Sequence, residues 1–345
     1  MLSPRTDTLL KSIVEQYIIK AVPVSSQSVT DDCGLGVSAA TIRNEMAQLE
    51  QEGYIIRPHV SAGSVPSDKG YRRYLESLGE VKLPLAEQRL LSHLFHQVEQ
   101  ELDEWLNLAA TIIARRVQNV ALVTKPRGKA CLLKHLGLVS LQNTLVLLVV
   151  ALSAARVRQQ LITFAQNVTQ AELTVIANKI NEIYFGLSSS QISAKEVELS
   201  STERWVTDCL VKVMEAEDKE RYEEPYLAGL PFALNQPELV LNHLLARNLV
   251  ELIEQRKLLS SIIPAHLSQQ GVKVIVGKEN EVESMRDYSV VTIRYGLREE
   301  ASGTISVIGP TRMPYTRTIA IVTYLSLVLT GLVTKLYGRE ISNAN

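Results

Sequence analysis

Cysteine is scarce: Cys33, Cys131 and Cys209 are the only three in 345 residues. An odd, scattered set without a C-x-x-C pair argues against a disulfide framework or a structural zinc site, and a reducing cytoplasmic setting fits. Excess charge of either sign is also missing. With 36 basic residues against 37 acidic ones the formal net charge is −1, so any case for nucleic-acid binding must rest on local placement. No apolar run reaches the roughly 20 residues of a membrane helix; the richest, 319–333, is interrupted by Thr323, Tyr324, Ser326 and Thr330 and reads as a buried helix. Met1 to Arg5 lead into an amphipathic pattern without the apolar stretch and cleavage site of a signal peptide, so no export is expected. Internal repeats and low-complexity tracts are absent. What is present, 46% hydrophobic and 21% charged residues, is the composition of a soluble globular chain with room for two or three domains.

The N-terminal part reads as a series of short helices. Ser3 as N-cap and Pro4 at the first helical position open one whose stripe is Leu9, Leu10, Ile13, Val14, Tyr17 and Ile18, ending near Lys20. A short polar helix follows Ser25-Ser26, Gly34-Leu35-Gly36 makes a turn, and Ser38 caps a third helix closed by Gly53. Residues 54–57 read as a strand, 61–64 as a loop, and Ser67-Asp68 start a helix through Tyr71, Tyr74 and Leu75. Three helices, a strand, a tight loop and a further helix give the order of a winged helix-turn-helix over residues 1–80, with a linker near 79–84. A helical pattern runs over 85–116. Strand-length runs follow at 119–124, 132–140 and 144–152, the last two turned by Gln142-Asn143, and then a helix opened by the capping-box pair Thr169 and Glu172. From about 190 to 266 the texture is helical and charged, and strand-like runs return at 272–276, 289–295 and 303–308. The class is α+β, and the helical block reads as an insertion that splits one domain.

On the third helix, turning Ile42, Met46 and Leu49 inward leaves Ala40, Thr41, Arg43, Asn44, Ala47 and Gln48 outward or on the flanks. Asn and Gln can bond adenine edges bidentately and Arg can do so to guanine, while small alanines let a helix approach the major groove closely. Residues 57–73 hold Arg57, Lys69, Arg72 and Arg73 against Asp68 alone, a basic patch suited to phosphates, with His59 adding charge when protonated. The expected DNA-binding set is therefore Ser38, Thr41, Arg43, Asn44, Gln48, Arg57, His59, Lys69, Arg72 and Arg73. A solvated polar face, or a protein-assembly module in which Arg43 and Asn44 meet another protein, is the competing reading of the same residues.

Specific segments carry a resemblance. Residues 34–50, Gly-Leu-Gly-Val-Ser-Ala-Ala-Thr-Ile-Arg-Asn-Glu-Met-Ala-Gln-Leu-Glu, are followed by Gly53-Tyr54, Pro58-His-Val-Ser-Ala-Gly63 and Pro66-Ser-Asp-Lys-Gly-Tyr71. With Leu234-Asn-Gln-Pro237 and Val307-Ile-Gly-Pro-Thr-Arg-Met313 plus Tyr315, they resemble, in order, the signature of the HrcA family of heat-inducible repressors. Where that family usually places an arginine at the wing tip, this sequence has Ser64 and then Val65. The resemblance implies a winged helix-turn-helix, a GAF-like α+β domain in two parts (85–190 and 268–345), and a mainly helical dimerising domain (191–267) inserted between them. It also implies a homodimer on the inverted-repeat CIRCE operator of chaperone operons, release on heat stress, and modulation by the GroEL-type chaperonin. GAF-like domains often hold small molecules, so a metabolite-sensing regulator, its pocket lined by 145–152 and 290–295, is the alternative within transcription control.

Other signals carry little. Gly34-x-Gly36-x-x-Ala39 imitates a dinucleotide fingerprint, but it follows a polar helix and lacks the βαβ frame. His93 and His96 lie at i, i+3 without a third ligand. Ser153, Ser188 to Ser190 and Ser260-Ser261, with His135, His243 and His266, form no recognisable catalytic arrangement. No enzyme, cofactor, metal or membrane association is expected.

Overall fold

The computed structural model describes residues 2–33, 38–59, 62–98, 101–126, 131–153, 156–219, 225–254, 271–297 and 301–336. The Gly34 to Gly36 turn, Ser260-Ser261 and His266 lie outside them. The chain is α+β and divides into two compact units: residues 1–123, 226–294 and 304–328 in the first, and 124–225, 295–303 and 329–345 in the second.

The first unit opens with α1 (Pro4–Lys20), α2 (Ser26–Cys33) and α3 (Ala39–Gln51), then a ribbon of β1 (Ile55–Ile56) and β2 (Val65–Pro66), then α4 (Asp68–Ser77). Ser3 caps α1, its hydroxyl accepting from Thr6 N at 3.1 Å, and Leu9, Leu10, Ile13 and Val14 are buried as the stripe requires. Ile42, Met46 and Leu49 of α3 close over the same core. Ser67 joins ribbon to helix: its hydroxyl donates to Gly53 O at 2.6 Å while accepting from Gly70 N at 3.1 Å. A Cβ at Gly70 would lie 2.2 Å from the Tyr54 carbonyl oxygen, and a backbone atom cannot give way cheaply. Gly70→Ala is therefore expected to destabilise this four-helix head by about 1–3 kcal/mol, as overpacking does; an unchanged urea midpoint would show that α4 can shift at no cost.

Ser64 is not at a wing tip. It exchanges both backbone hydrogen bonds with Val24 at 2.8 Å and is 1% exposed, an isolated antiparallel bridge that ties the ribbon to the α1–α2 connection.

The expected helix over 85–116 is two helices, α5 (Leu85–Gln97) and α6 (Leu102–Val117). β3 (Val120–Val123) follows α6 in the first unit. The second unit holds β4 (Leu133–Ser140), β5 (Leu145–Leu152), β6 (Arg156–Thr163), α7 (Gln170–Tyr184), α8 (Ser189–Ala194) and α9 (Ser201–Lys219). Its antiparallel sheet, ordered β4-β5-β6, buries alternate residues of β5, namely Val146, Leu148, Val150 and Leu152. They share a core with Leu173 and Ile180 of α7 and Val206 and Leu210 of α9. Thr169 and Glu172 form the capping box the sequence implies.

Back in the first unit come β7 (Tyr226–Ala228), α10 (Leu230–Leu234), α11 (Pro237–Leu241), α12 (His243–Glu254) and β8 (Lys273–Ile275). β9 (Tyr288–Leu297), β10 (Ala301–Pro310) and α13 (Tyr315–Leu336) are the last described elements. The five-stranded sheet runs β7-β3-β10-β9-β8. β3 and nearly all of β10 are buried at every residue, the continuous pattern of strands covered on both faces. α13 is, by length and composition, the one helix among the described residues that could cross a bilayer. Its Ile321, Val322, Leu325 and Leu329 are buried, and Tyr324 donates to Gln88 O of α5 at 2.7 Å, as in the core helix of a globular domain.

The helical block expected over 191–267 thus has different limits. The boundary between 190 and 191 falls inside α8, and residues 124–225 form a unit with its own sheet. Alternation in β5 had the same appearance as a strand of the surrounding domain, so periodicity could not show where the insertion began.

Candidate nucleic-acid interface

α3 begins at Ser38, whose hydroxyl accepts from Thr41 N at 3.2 Å and lies 3.0 Å from the Thr41 hydroxyl. This satisfies one of the orphan amides of the first turn. The helix is held from behind by Ile42, Met46 and Leu49 and on its flank by an ion pair between Glu45 and Arg5 of α1. Ala40, Arg43, Asn44, Ala47 and Gln48 are exposed and Thr41 is half-buried, so the wheel drawn from sequence matches the observed face. Gln48 donates to Glu52 Oε1 at 2.8 Å. Among the described residues Arg43 and Asn44 make no side-chain hydrogen bond or ion pair, and with small alanines beside them they present unspent donors and acceptors.

The basic patch is used differently. Arg57 is 3.3 Å from Glu50, and His59 is exposed beside it. Lys69 Nζ donates to Glu52 O, at the C-terminal end of α3, at 2.8 Å and sits 4.3 Å from the centre of the Tyr54 ring. That is a favourable place for a cation, since the helix dipole is negative there. Arg73 Nε donates to Asp7 at 2.6 Å. Arg72 Nε donates to Glu279 Oε1 at 2.7 Å and its Nη2 to Val274 O at 2.8 Å, with a further contact to Glu279 Oε2. Partly exposed pairs such as Arg57 with Glu50 cost little to exchange for phosphate. The Nε–Nη2 edge of Arg72 is fully used.

Two side chains without an expected role belong to this arrangement. Gln236 and Arg312, both inside the resemblance segments, lie next to the end of α1: Arg312 Nη1 donates to Ile18 O at 2.6 Å and its Nη2 to Gln236 Oε1 at 2.9 Å. The signal was their position in those segments; periodicity could not have brought residues 18, 236 and 312 together.

The two strands expected to line an effector pocket belong to different sheets, 145–152 to the three-stranded and 290–295 to the five-stranded one. Among the described residues no group of three or more His, Cys, Asp or Glu side chains is placed to hold a metal. His96 Nδ1 is 2.7 Å from Ser92 O, Ser153 accepts from Leu132 N at 3.0 Å, and Ser188 caps α8, each a local structural use.

Residues 103–319 match the sequence profile described as HrcA protein C terminal domain. The chain belongs to the HrcA family. It is 50% identical over 339 residues, 98% of each chain, to the heat-inducible transcription repressor HrcA of Dehalococcoides mccartyi. To the protein of the same name from Herpetosiphon aurantiacus it is 39% identical over 347 residues, 98% of this chain and 97% of that one. A crystal structure described as a hypothetical protein shares the fold, with a TM-score of 0.59 and 24% identity over 97% of this chain and 98% of that one.

Proposed function

We propose that the protein is a heat-inducible transcription repressor, a regulator and not an enzyme, whose N-terminal head is a winged helix-turn-helix that reads operator DNA. The observation that carries this reading is α3 itself, an N-capped helix with Arg43 and Asn44 exposed between two alanines and, among the described residues, unpartnered. Such a helix enters the major groove with its first turns at the base edges. In the proposal Thr41, Arg43, Asn44 and Gln48 face bases, and Ser38, Arg57, His59, Lys69 and Arg73 lie near phosphates. The five-stranded sheet with its helices is the GAF-like domain, and the unit of residues 124–225 is the inserted dimerising domain. The protein acts in the cytoplasm as a homodimer on the inverted-repeat CIRCE operator. A two-fold protein suits a palindrome when its reading helices are spaced by whole DNA turns. Heat lowers the population of folded dimer, and the GroEL-type chaperonin restores it when not occupied by other clients.

The test is equilibrium binding of the full chain to a fluorescent CIRCE duplex and a scrambled duplex of equal length across a salt series. A preference of about 10³ or more is expected, since specific sites exceed non-specific DNA by at least that. Equal affinity for both duplexes at every salt concentration would sink the reading.

A further inference from the structure

The head is joined to the rest of the first unit by residues 78–84, a seven-residue segment between α4 and α5 without helix or strand. Extended, such a segment reaches roughly 25 Å, far too loose to fix the separation of two reading helices. Two sets of charged contacts do what the segment cannot.

On one side α4 docks on the turn after β8. Asp68 Oδ2 accepts from Lys278 N at 3.0 Å, and Gly277 (φ +48) makes room for it, because a Cβ there would fall 2.5 Å from Asp68 Oδ1. One helical turn later Arg72 grips both carboxylate oxygens of Glu279 with the Nε–Nη2 edge of its guanidinium and takes Val274 O as well. Glu279 is fixed from its own side, its Oε2 accepting from Val276 N at 2.8 Å. Burial opposes its ionisation, but the bonds from Arg72 and Val276 outweigh that and hold its carboxyl below the ordinary carboxylate value.

On the other side Arg312, 9% exposed, reaches the last turn of α1. It takes the Ile18 carbonyl, an unsatisfied acceptor at the negative end of the helix, and is itself held by Glu238 Oε1 at 2.5 Å and Gln236 Oε1 at 2.9 Å. Between the two contacts Tyr71 packs on Tyr315 with ring centres 5.7 Å apart, and Tyr74 Oη lies 3.0 Å from the Thr316 hydroxyl.

We propose that Arg72 and Arg312 are positioning residues that clamp the reading head to the five-stranded-sheet domain, so that a dimer presents its two α3 helices to an inverted repeat at one fixed separation. The clamp rests on the repressor reading given above. It assigns Arg72 to the protein's own Glu279 and not to a DNA phosphate. Two linked binding modules gain avidity only while both can engage together, so a released head keeps its half-repeat contacts and loses the joint grip.

The experiment compares the full-length wild type with Arg72→Glu, Glu279→Arg, the double charge swap and Arg312→Met. Each is bound to a CIRCE duplex, a duplex carrying one half-repeat and a scrambled duplex, with dimer content followed by sedimentation. Either charge reversal alone is expected to weaken CIRCE binding about 100-fold while half-repeat binding stays within about twofold, and the swap to recover at least about tenfold, because linkage of two sites contributes 10²–10⁴. Arg312→Met is expected to follow the single reversals; if it does not fold, the swap decides alone. The clamp is wrong if half-repeat binding falls as far as CIRCE binding, if neither changes, or if the swap is no better than the poorer single variant. A swap that fails to recover while the salt dependence has flattened would return Arg72 to the phosphates. A wild type that does not prefer CIRCE over scrambled DNA would instead strike the repressor reading itself.

Discussion

Arg43→Ala is expected to cut operator preference by at least an order of magnitude while leaving the fold untouched. The side chain is exposed and, among the described residues, spends none of its five donors on the protein, so its removal should change stability by no more than about 0.5 kcal/mol, as for other surface sites. A bidentate contact from arginine to a guanine edge is worth about 1–3 kcal/mol of discrimination. In the proposed homodimer the contact is lost twice, giving about 2–6 kcal/mol, or roughly 30-fold to 10⁴-fold on a full inverted repeat. Scrambled DNA retains the other phosphate contacts and should lose far less. Paired titrations on the two duplexes check this. Equal losses on both would make Arg43 a phosphate ligand and move the sequence reading to Asn44 and Gln48.

The second large effect lies in the unit of residues 124–225. Glu217 of α9 has a side chain with no exposed surface, and it accepts from Arg156 at 2.7 Å and from Arg158, both on β6. Burial alone would raise its pKa, but hydrogen bonds from Arg158 and Arg156 outweigh burial and lower it. A lowered native value means that the stabilisation is fully present above the ordinary carboxylate range, near about pH 4.3. It is lost as pH falls through the native value. Glu217→Ala strips Arg156, 13% exposed, of its buried carboxylate; breaking a buried pair from one side costs about 3–5 kcal/mol, and solvent screening at Arg158, 39% exposed, brings the expected loss to about 2–3 kcal/mol. The two tryptophans separate the units, Trp105 in α6 and Trp205 in α9. In a Trp105→Phe background the fluorescence of Trp205 should therefore report an earlier urea transition for Glu217→Ala and a flatter acid limb. A transition unmoved in both respects would show that β6 and α9 are held by their apolar contacts alone.

The sequence was most readable where local chemistry decides local structure. Ser3 with Pro4, Ser38 before α3, and Thr169 with Glu172 each announce a helix because a capping oxygen has its donor within three residues. The exposed face of α3 followed from the inward set of Ile42, Met46 and Leu49. Readability failed where the partner lies far along the chain. Glu217 sits in an acidic and basic run that looks solvated, and only β6 returning beside α9 makes it a core residue. β6 itself, Arg-Val-Arg-Gln-Gln-Leu-Ile-Thr, is too polar to announce a strand, because its buried pairing comes through Arg156 and Arg158. Arg72 counted toward a basic patch until Glu279 appeared some 200 residues away. Ser64 looked like a loop tip because nothing nearby in sequence marks Val24 as its partner.

The insertion leaves and returns at adjacent points: Val123 at the end of β3 pairs with Tyr226 at the start of β7. About a hundred residues separate the two, and joining such distant points on an unfolded chain carries a loop-closure cost before any pairing is gained. Once the intervening unit has folded, that distance shrinks to the gap between its own two ends. β3 and β7 then form in effect a hairpin whose turn is a whole domain, and the edge of the five-stranded sheet becomes a local structure whose completion waits on the folding of its neighbour.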